Sequence, residues 1–214
     1  MTTTCIHLIR HGVTASNVQR VYMGRSDESI STEGRWQARQ LARRLQRLDL
    51  EAIYSSPLRR ALETAEIVAR PHRHPVRVDA DIVEIDLSRW QGRPFEEIAT
   101  ADPVAWETWC RDPSRLALPG IETFESLAER VRRFLNRLRK DHYAGGAVAV
   151  VSHDGVIRMA VMEALALSWS HYRSLPLDNT SITTVEVGGP HPHLRRFNDV
   201  GHLNEAGVSG TAGN

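Results

Sequence analysis

The chain has 214 residues, 41% of them hydrophobic and 25% charged, with a formal net charge of +1. This is the size and balance of a single globular domain with a sizeable core. No apolar run approaches the ~20 residues of a membrane span, no signal peptide is visible, and near-zero net charge gives no global attraction to nucleic acid or anionic lipid. Two cysteines, Cys5 and Cys110, make no disulfide framework, so a reducing cytoplasm is the expected location.

In chain order, an apolar strand over 5–9 carries Cys5 as a small core residue and runs into Arg10-His11-Gly12. A helix over 33–48 follows, with Ala38, Leu41, Leu45 and Leu48 on its core side and Arg35, Arg39, Arg43 and Arg47 on the other. The arginine stripe reads as a solvated face, because nucleic-acid binders carry more net positive charge. A strand over 52–54 leads through Ser55-Ser56-Pro57 into a helix over 58–69 with Arg59 and Arg60 in its first turn. A short strand over 76–78 precedes Asp81-Ile82-Val83-Glu84-Ile85-Asp86.

Residues 95–123, with Pro103, Pro113 and Pro119, interrupt the alternation and are expected to form a small helical cap. Helices over 124–138 and 156–167 flank the continuous apolar run 147–151, a strand buried on both faces. Strands over 181–187 and 194–198 complete a single domain over 1–203, and a disordered tail is expected over 204–214. Alternating strands and helices predict an α/β fold, a three-layer α/β/α sandwich around a mostly parallel sheet.

Two of these buried strands each deliver a histidine at the C-terminal end: His11 after the first, and His153 in Ser152-His153-Asp154-Gly155. Open α/β sheets bind ligands at that edge. Arginine suits phosphate, histidine can be a neutral nucleophile at pH 7, and the start of a helix favours anions. The set reads as a device for attacking a phosphoryl group.

These motifs, in this order, resemble those of the histidine phosphatase superfamily, also called the phosphoglycerate mutase-like family. The resemblance runs from about residue 5 to about residue 187 and rests on Arg10-His11-Gly12 with Thr14 and Asn17, Arg60-Ala61 with Thr64-Ala65, Glu84, and His153. It implies that His11 is a nucleophile forming a phosphohistidine and that Glu84 is the general acid and base. It also implies that Arg10, Arg60 and His153 clamp the phosphoryl oxygens. Asn17, Gly24, Asp154 and Gly155 are the further substrate-binding candidates. No metal and no cofactor are implied. His72-Arg73-His74 and His191-Pro192-His193 read as solvated turns rather than metal sites.

The chain is most similar to the phosphatase branch, which includes metal-independent phosphoserine phosphatases, α-ribazole phosphatases and broad-specificity enzymes. A phosphoglycerate mutase is the alternative. Against it stand a single Arg111 where the mutases carry an arginine pair, a shorter cap, and Asp154-Gly155 after the second histidine. Leu87 stands where the phosphoserine branch can place a histidine. A non-catalytic binding or nucleic-acid-associated protein is a further alternative, although the five core residues are all present. A small phosphorylated metabolite is the expected partner, with no nucleic acid and no membrane, and a homodimer is an open assembly. Trp90, Trp106 and Trp109 either line the substrate pocket or pack the cap.

Overall fold

The computed structural model describes residues 2–204; the remainder of the expected tail, 205–214, lies outside the described residues. Six strands form one sheet: β1 (Thr4–Arg10), β2 (Leu50–Ser55), β3 (Val76–Val78), β4 (Gly146–Ser152), β5 (Ile182–Val187) and β6 (His193–Asp199), in the order β3-β2-β4-β1-β5-β6. Strands β3, β2, β4 and β1 are parallel; β5 pairs antiparallel to β1, and β6 antiparallel to β5. The sheet is thus mixed and mostly parallel. The short β5–β6 turn leaves no room for a crossover helix, so β6 returns antiparallel to β5.

The main helices are α1 (Ala15–Val18), α2 (Thr32–Leu45), α3 (Arg59–Ala69), α4 (Phe95–Ala101), α5 (Pro103–Arg111), α6 (Phe124–Asp141) and α7 (Asp154–Leu165), with α8 (Gly201–Asn204) at the end. Alternate strand residues face opposite layers. Ile9, Ile53, Ala149 and Val151 join α2 and α3 in one core. Ile6, Leu8, Tyr54, Val148 and Val150 join α6, α7 and the 82–118 region in the other.

Several element ends differ from expectation. Helix α2 stops at Leu45, and Leu48 is exposed rather than in the core. The chain must turn there to enter β2. Helix α7 ends at Leu165 because Ala166 adopts a left-handed conformation, φ 55°, which leaves Leu167 exposed. Cys5 is only half-buried and its thiol faces Glu186 across the antiparallel edge, so it is not a core residue. The arginine stripe of α2 is largely solvated; Arg35 pairs with Glu63 at 3.1 Å, and Arg39, Arg43 and Arg47 are exposed.

The interruption at 95–123 folds as α4, α5 and a short turn at Pro113–Arg115. The tryptophans pack it. Trp90 and Trp109 are buried, 6.0 Å apart, and both meet Tyr22 edge-on. Trp109 also contacts Tyr172, and Trp106 contacts Trp90. Edge-to-face pairs add about 0.5–1.5 kcal/mol each beyond their buried area. No helix of the described residues is long and apolar enough to cross a membrane.

Candidate active site

Parallel pairing brings the strand ends into register. Arg10 lies opposite Ser152 and Ser55 opposite Val151. The pairing continues past the strand ends: the His11 N–H donates to the Ser152 carbonyl at 3.0 Å, and the Ser56 N–H to the Val151 carbonyl at 3.0 Å. His11, Ser56 and His153 therefore leave three adjacent strands at one level. The imidazole rings of His11 and His153 lie 5.2 Å apart, tilted by 58°.

His11 is buried. Its Nδ1 lies 2.8 Å from the Gly12 carbonyl, and its Nε2 lies 3.2 Å from Arg60 Nε. A carbonyl only accepts and a guanidinium N–H only donates, so the proton sits on Nδ1 and the lone pair on Nε2. Burial, reinforced by Arg60 and Arg10, drives the pKa well below the ordinary histidine value. His11 is thus held as a neutral imidazole with its unprotonated Nε2 turned toward Arg60.

Arg60 is buried, whereas Arg59 beside it is exposed. The guanidinium is held by the Ser26 and Gly24 carbonyls at 2.7 and 2.8 Å. Gly24 sits at φ +49°, a conformation that glycine adopts without strain, and this turn aims its carbonyl at Arg60. The Arg10 side chain donates to the Leu177 carbonyl, and its Nε is buried with no protein partner. The Arg10 and His11 carbonyls are held by Thr180 N–H and Asn179 Nδ2, each at 3.0 Å. Asn17 uses its side-chain oxygen to cap α1, accepting from the Thr14 N–H at 3.1 Å.

His153 is fully buried at the start of α7; its Nε2 meets Ser56 Oγ at 2.7 Å, and its Nδ1 has no partner. Burial first, then Arg60 and His11, push its pKa well down. Glu84 reaches the same place from the loop after β3. Its oxygens accept from the Ile85 N–H at 2.8 Å and the Gly155 N–H at 3.4 Å. Burial, then the negative Asp154, lift the Glu84 pKa above the ordinary carboxylate value. Asp154 itself is held by Arg158 at 3.0 Å. A Cβ on Gly155 would stand 2.5 Å from Glu84 Oε1 and 3.0 Å from the Tyr172 hydroxyl, so only glycine lets the carboxylate in.

Some supports lie outside the sequence motifs. Arg130 on α6 makes a buried ion pair with Glu122 at 2.6 Å and donates to the Asp81 and Val83 carbonyls. Arg25 donates to the Glu84 carbonyl at 3.0 Å. Together they clamp the backbone around Glu84. A charged residue beside the apolar stripe Leu127, Val131, Phe134 and Leu138 was the visible signal for Arg130. Nothing local singles out Arg25. Ser56 was visible only as the last residue of a strand-end run. Leu87 is core, and Arg111 pairs with Glu107 at the exposed surface. Among the described residues no group of three or more His, Cys, Asp or Glu is placed to hold a metal ion.

Residues 6–200 match the histidine phosphatase superfamily (branch 1). The chain belongs to that superfamily. This histidine phosphatase is 32% identical over 198 residues to phosphoserine phosphatase 1 of Hydrogenobacter thermophilus, covering 92% of this chain and 93% of the relative. It is 26% identical over 192 residues to the adenosylcobalamin/alpha-ribazole phosphatase of Escherichia coli strain K12, covering 89% and 94%. Among solved structures, Bacillus stearothermophilus YhfR superposes with a TM-score of 0.88 at 33% identity, covering 94% of this chain and 99% of that one. The superfamily assignment and the phosphatase relatives make this chain a phosphoric monoester hydrolase.

Proposed function

We propose that this histidine phosphatase hydrolyses phosphate esters through a phosphohistidine on His11. The observation that carries the reading is a neutral imidazole whose unprotonated Nε2 faces the buried Arg60, with His153 beside it. His11 Nε2 attacks phosphorus as the ester P–O bond breaks, and Glu84 gives its proton to the leaving oxygen. Water then attacks phosphorus and passes a proton to Glu84, and the N–P bond breaks to restore neutral His11. Arg10, Arg60 and His153 stabilise the three phosphoryl oxygens, which is most of what phosphoryl transfer requires.

Asn17 contributes its amide to the phosphoryl group. Gly24 and Gly155 act through the side chains they hold, Arg60 and Glu84, and Asp154 through its field on Glu84. Gly155→Ala is accordingly expected to lower kcat about 100-fold by displacing Glu84, as misplacements of about 1 Å can. Steady-state kinetics beside circular dichroism check this, and unchanged kcat would refute the packing argument.

The substrate belongs to the group of phosphoserine, α-ribazole phosphate and similar small esters, and the outward-facing Arg111 argues for hydrolysis over mutase chemistry. Two free cysteines support a cytoplasmic setting. The test is a phosphate-release screen over phosphoserine, α-ribazole phosphate and 3-phosphoglycerate in EDTA, with 2,3-bisphosphoglycerate added in one arm. Hydrolysis is expected to persist in EDTA and to exceed 2-phosphoglycerate formation. Faster isomerisation than release, or activity returning only with added Mg²⁺ or Zn²⁺, would overturn the reading.

A further inference from the structure

We propose that Ser56 is the positioning residue of the second histidine: its hydroxyl donates to His153 Nε2 and thereby keeps that ring's proton on Nδ1, where the phosphoryl group needs a donor. This rests on the phosphoryl-binding reading of His153 given above. Ser56 is fully buried just past the end of β2, its backbone fixed by the Val151 carbonyl. Its Oγ accepts from the Leu58 N–H at 3.3 Å and meets His153 Nε2 at 2.7 Å. A hydroxyl has one hydrogen and two lone pairs. With the Leu58 N–H on one lone pair, the arrangement that uses the hydrogen sends it to Nε2.

The opposite arrangement fails on two counts. Were Nε2 the protonated nitrogen, the hydrogen of the fully buried Ser56 hydroxyl would lose the one protein acceptor within its reach, and a buried polar group left unpaired costs about 1–3 kcal/mol. The His153 Nδ1 would then carry a lone pair, which repels a phosphate dianion. With the proton on Nδ1, the one buried nitrogen of His153 without a partner becomes a donor, and its natural acceptor is a phosphoryl oxygen. The low His153 pKa agrees, because only a neutral ring has a tautomer to choose. Ser56 is thus to His153 what the Gly12 carbonyl is to His11: a fixed neighbour that decides which nitrogen holds the proton. Both rings hold the proton on Nδ1, but they turn different nitrogens to the phosphoryl group: the unprotonated Nε2 of His11 attacks, and the Nδ1–H of His153 donates.

The experiment is two-bond 1H–15N correlation spectroscopy of the histidine-labelled full chain, wild type and Ser56→Ala, together with kinetics of Ser56→Ala, His153→Ala and the double variant. Wild type is expected to show His153 protonated on Nδ1, and Ser56→Ala to shift population toward Nε2. Ser56→Ala should lower kcat/KM about 10- to 100-fold, less than the 10²–10³ of removing a donor outright, and should add almost nothing in the His153→Ala background. A purely structural serine would impair both backgrounds equally. That outcome, a wild-type ring protonated on Nε2, or an unchanged tautomer in Ser56→Ala would overturn the proposal. Full activity in His153→Ala would instead overturn the phosphoryl-binding reading beneath it, and the proposal with it.

Discussion

Replacing His11 with alanine is expected to reduce hydrolysis by about 10⁴- to 10⁶-fold, the range seen when a nucleophile is deleted from a group that acts as a unit. Arg10, Arg60 and His153 would still bind phosphate, but no other side chain offers an unprotonated nitrogen turned into the arginine clamp. His153 cannot substitute, because its Nε2 is occupied by Ser56. The covalent form is tested by a pulse of 32P-labelled substrate, an alkaline quench and peptide mapping. A base-stable, acid-labile phosphate on the peptide containing His11 is expected, absent from His11→Ala. Label on an aspartate or serine, or near-normal turnover of the variant with its fold intact, would refute the assignment.

Glu84→Gln is expected to separate substrates by leaving group. Alkyl phosphates need a proton on the departing oxygen, so their turnover should fall about 10²- to 10⁴-fold. Single-turnover phosphorylation by p-nitrophenyl phosphate should change little, because nitrophenolate leaves without a proton. The pH dependence has a definite sign. The Glu84 pKa is raised by burial and by Asp154, so the protonated acid persists to higher pH than for an ordinary carboxyl. Cleavage of alkyl phosphates should decline as pH rises through that elevated value, and the glutamine variant should lose this limb. Asp86 is the nearest other carboxylate in the motif, but it accepts from the Ser88 N–H at 2.9 Å and sits 3.5 Å from Arg25. Asp86→Asn should therefore spare the leaving-group dependence. A larger effect at Asp86 than at Glu84 would transfer the acid role.

The order of elements, the parallel sheet and the histidines at two strand ends were legible because each is a local pattern. An apolar run buried on both faces announces a central strand, and the polar residues that end it mark the sheet edge where ligands bind. Arg60 was separated from Arg59 by motif resemblance alone; both occupy the first turn of α3, and only packing shows that Arg60 is buried. Element ends were less legible. Leu48 and Leu167 continue the apolar periodicity but lie beyond their helices, because chain reversal, not propensity, ends α2, and a left-handed residue ends α7.

What the sequence by itself determined is the chemical inventory of the candidate site: two histidines, two arginines and a glutamate, carried to the same sheet edge by four strand–loop units, with Arg10 and His11 sharing the first. What only the tertiary structure decided is the protonation state and aim of each group. The Nδ1 proton of His11 follows from the neighbouring Gly12 carbonyl. The elevated Glu84 pKa follows from burial against Gly155 and from Asp154, about 70 residues away in sequence. The backbone around Glu84 is held by Arg130 and Arg25, which share no motif with it. Proton positions and pKa values depend on which groups are neighbours in a desolvated space, and at such separations no local pattern specifies neighbours; the register of the folded sheet does.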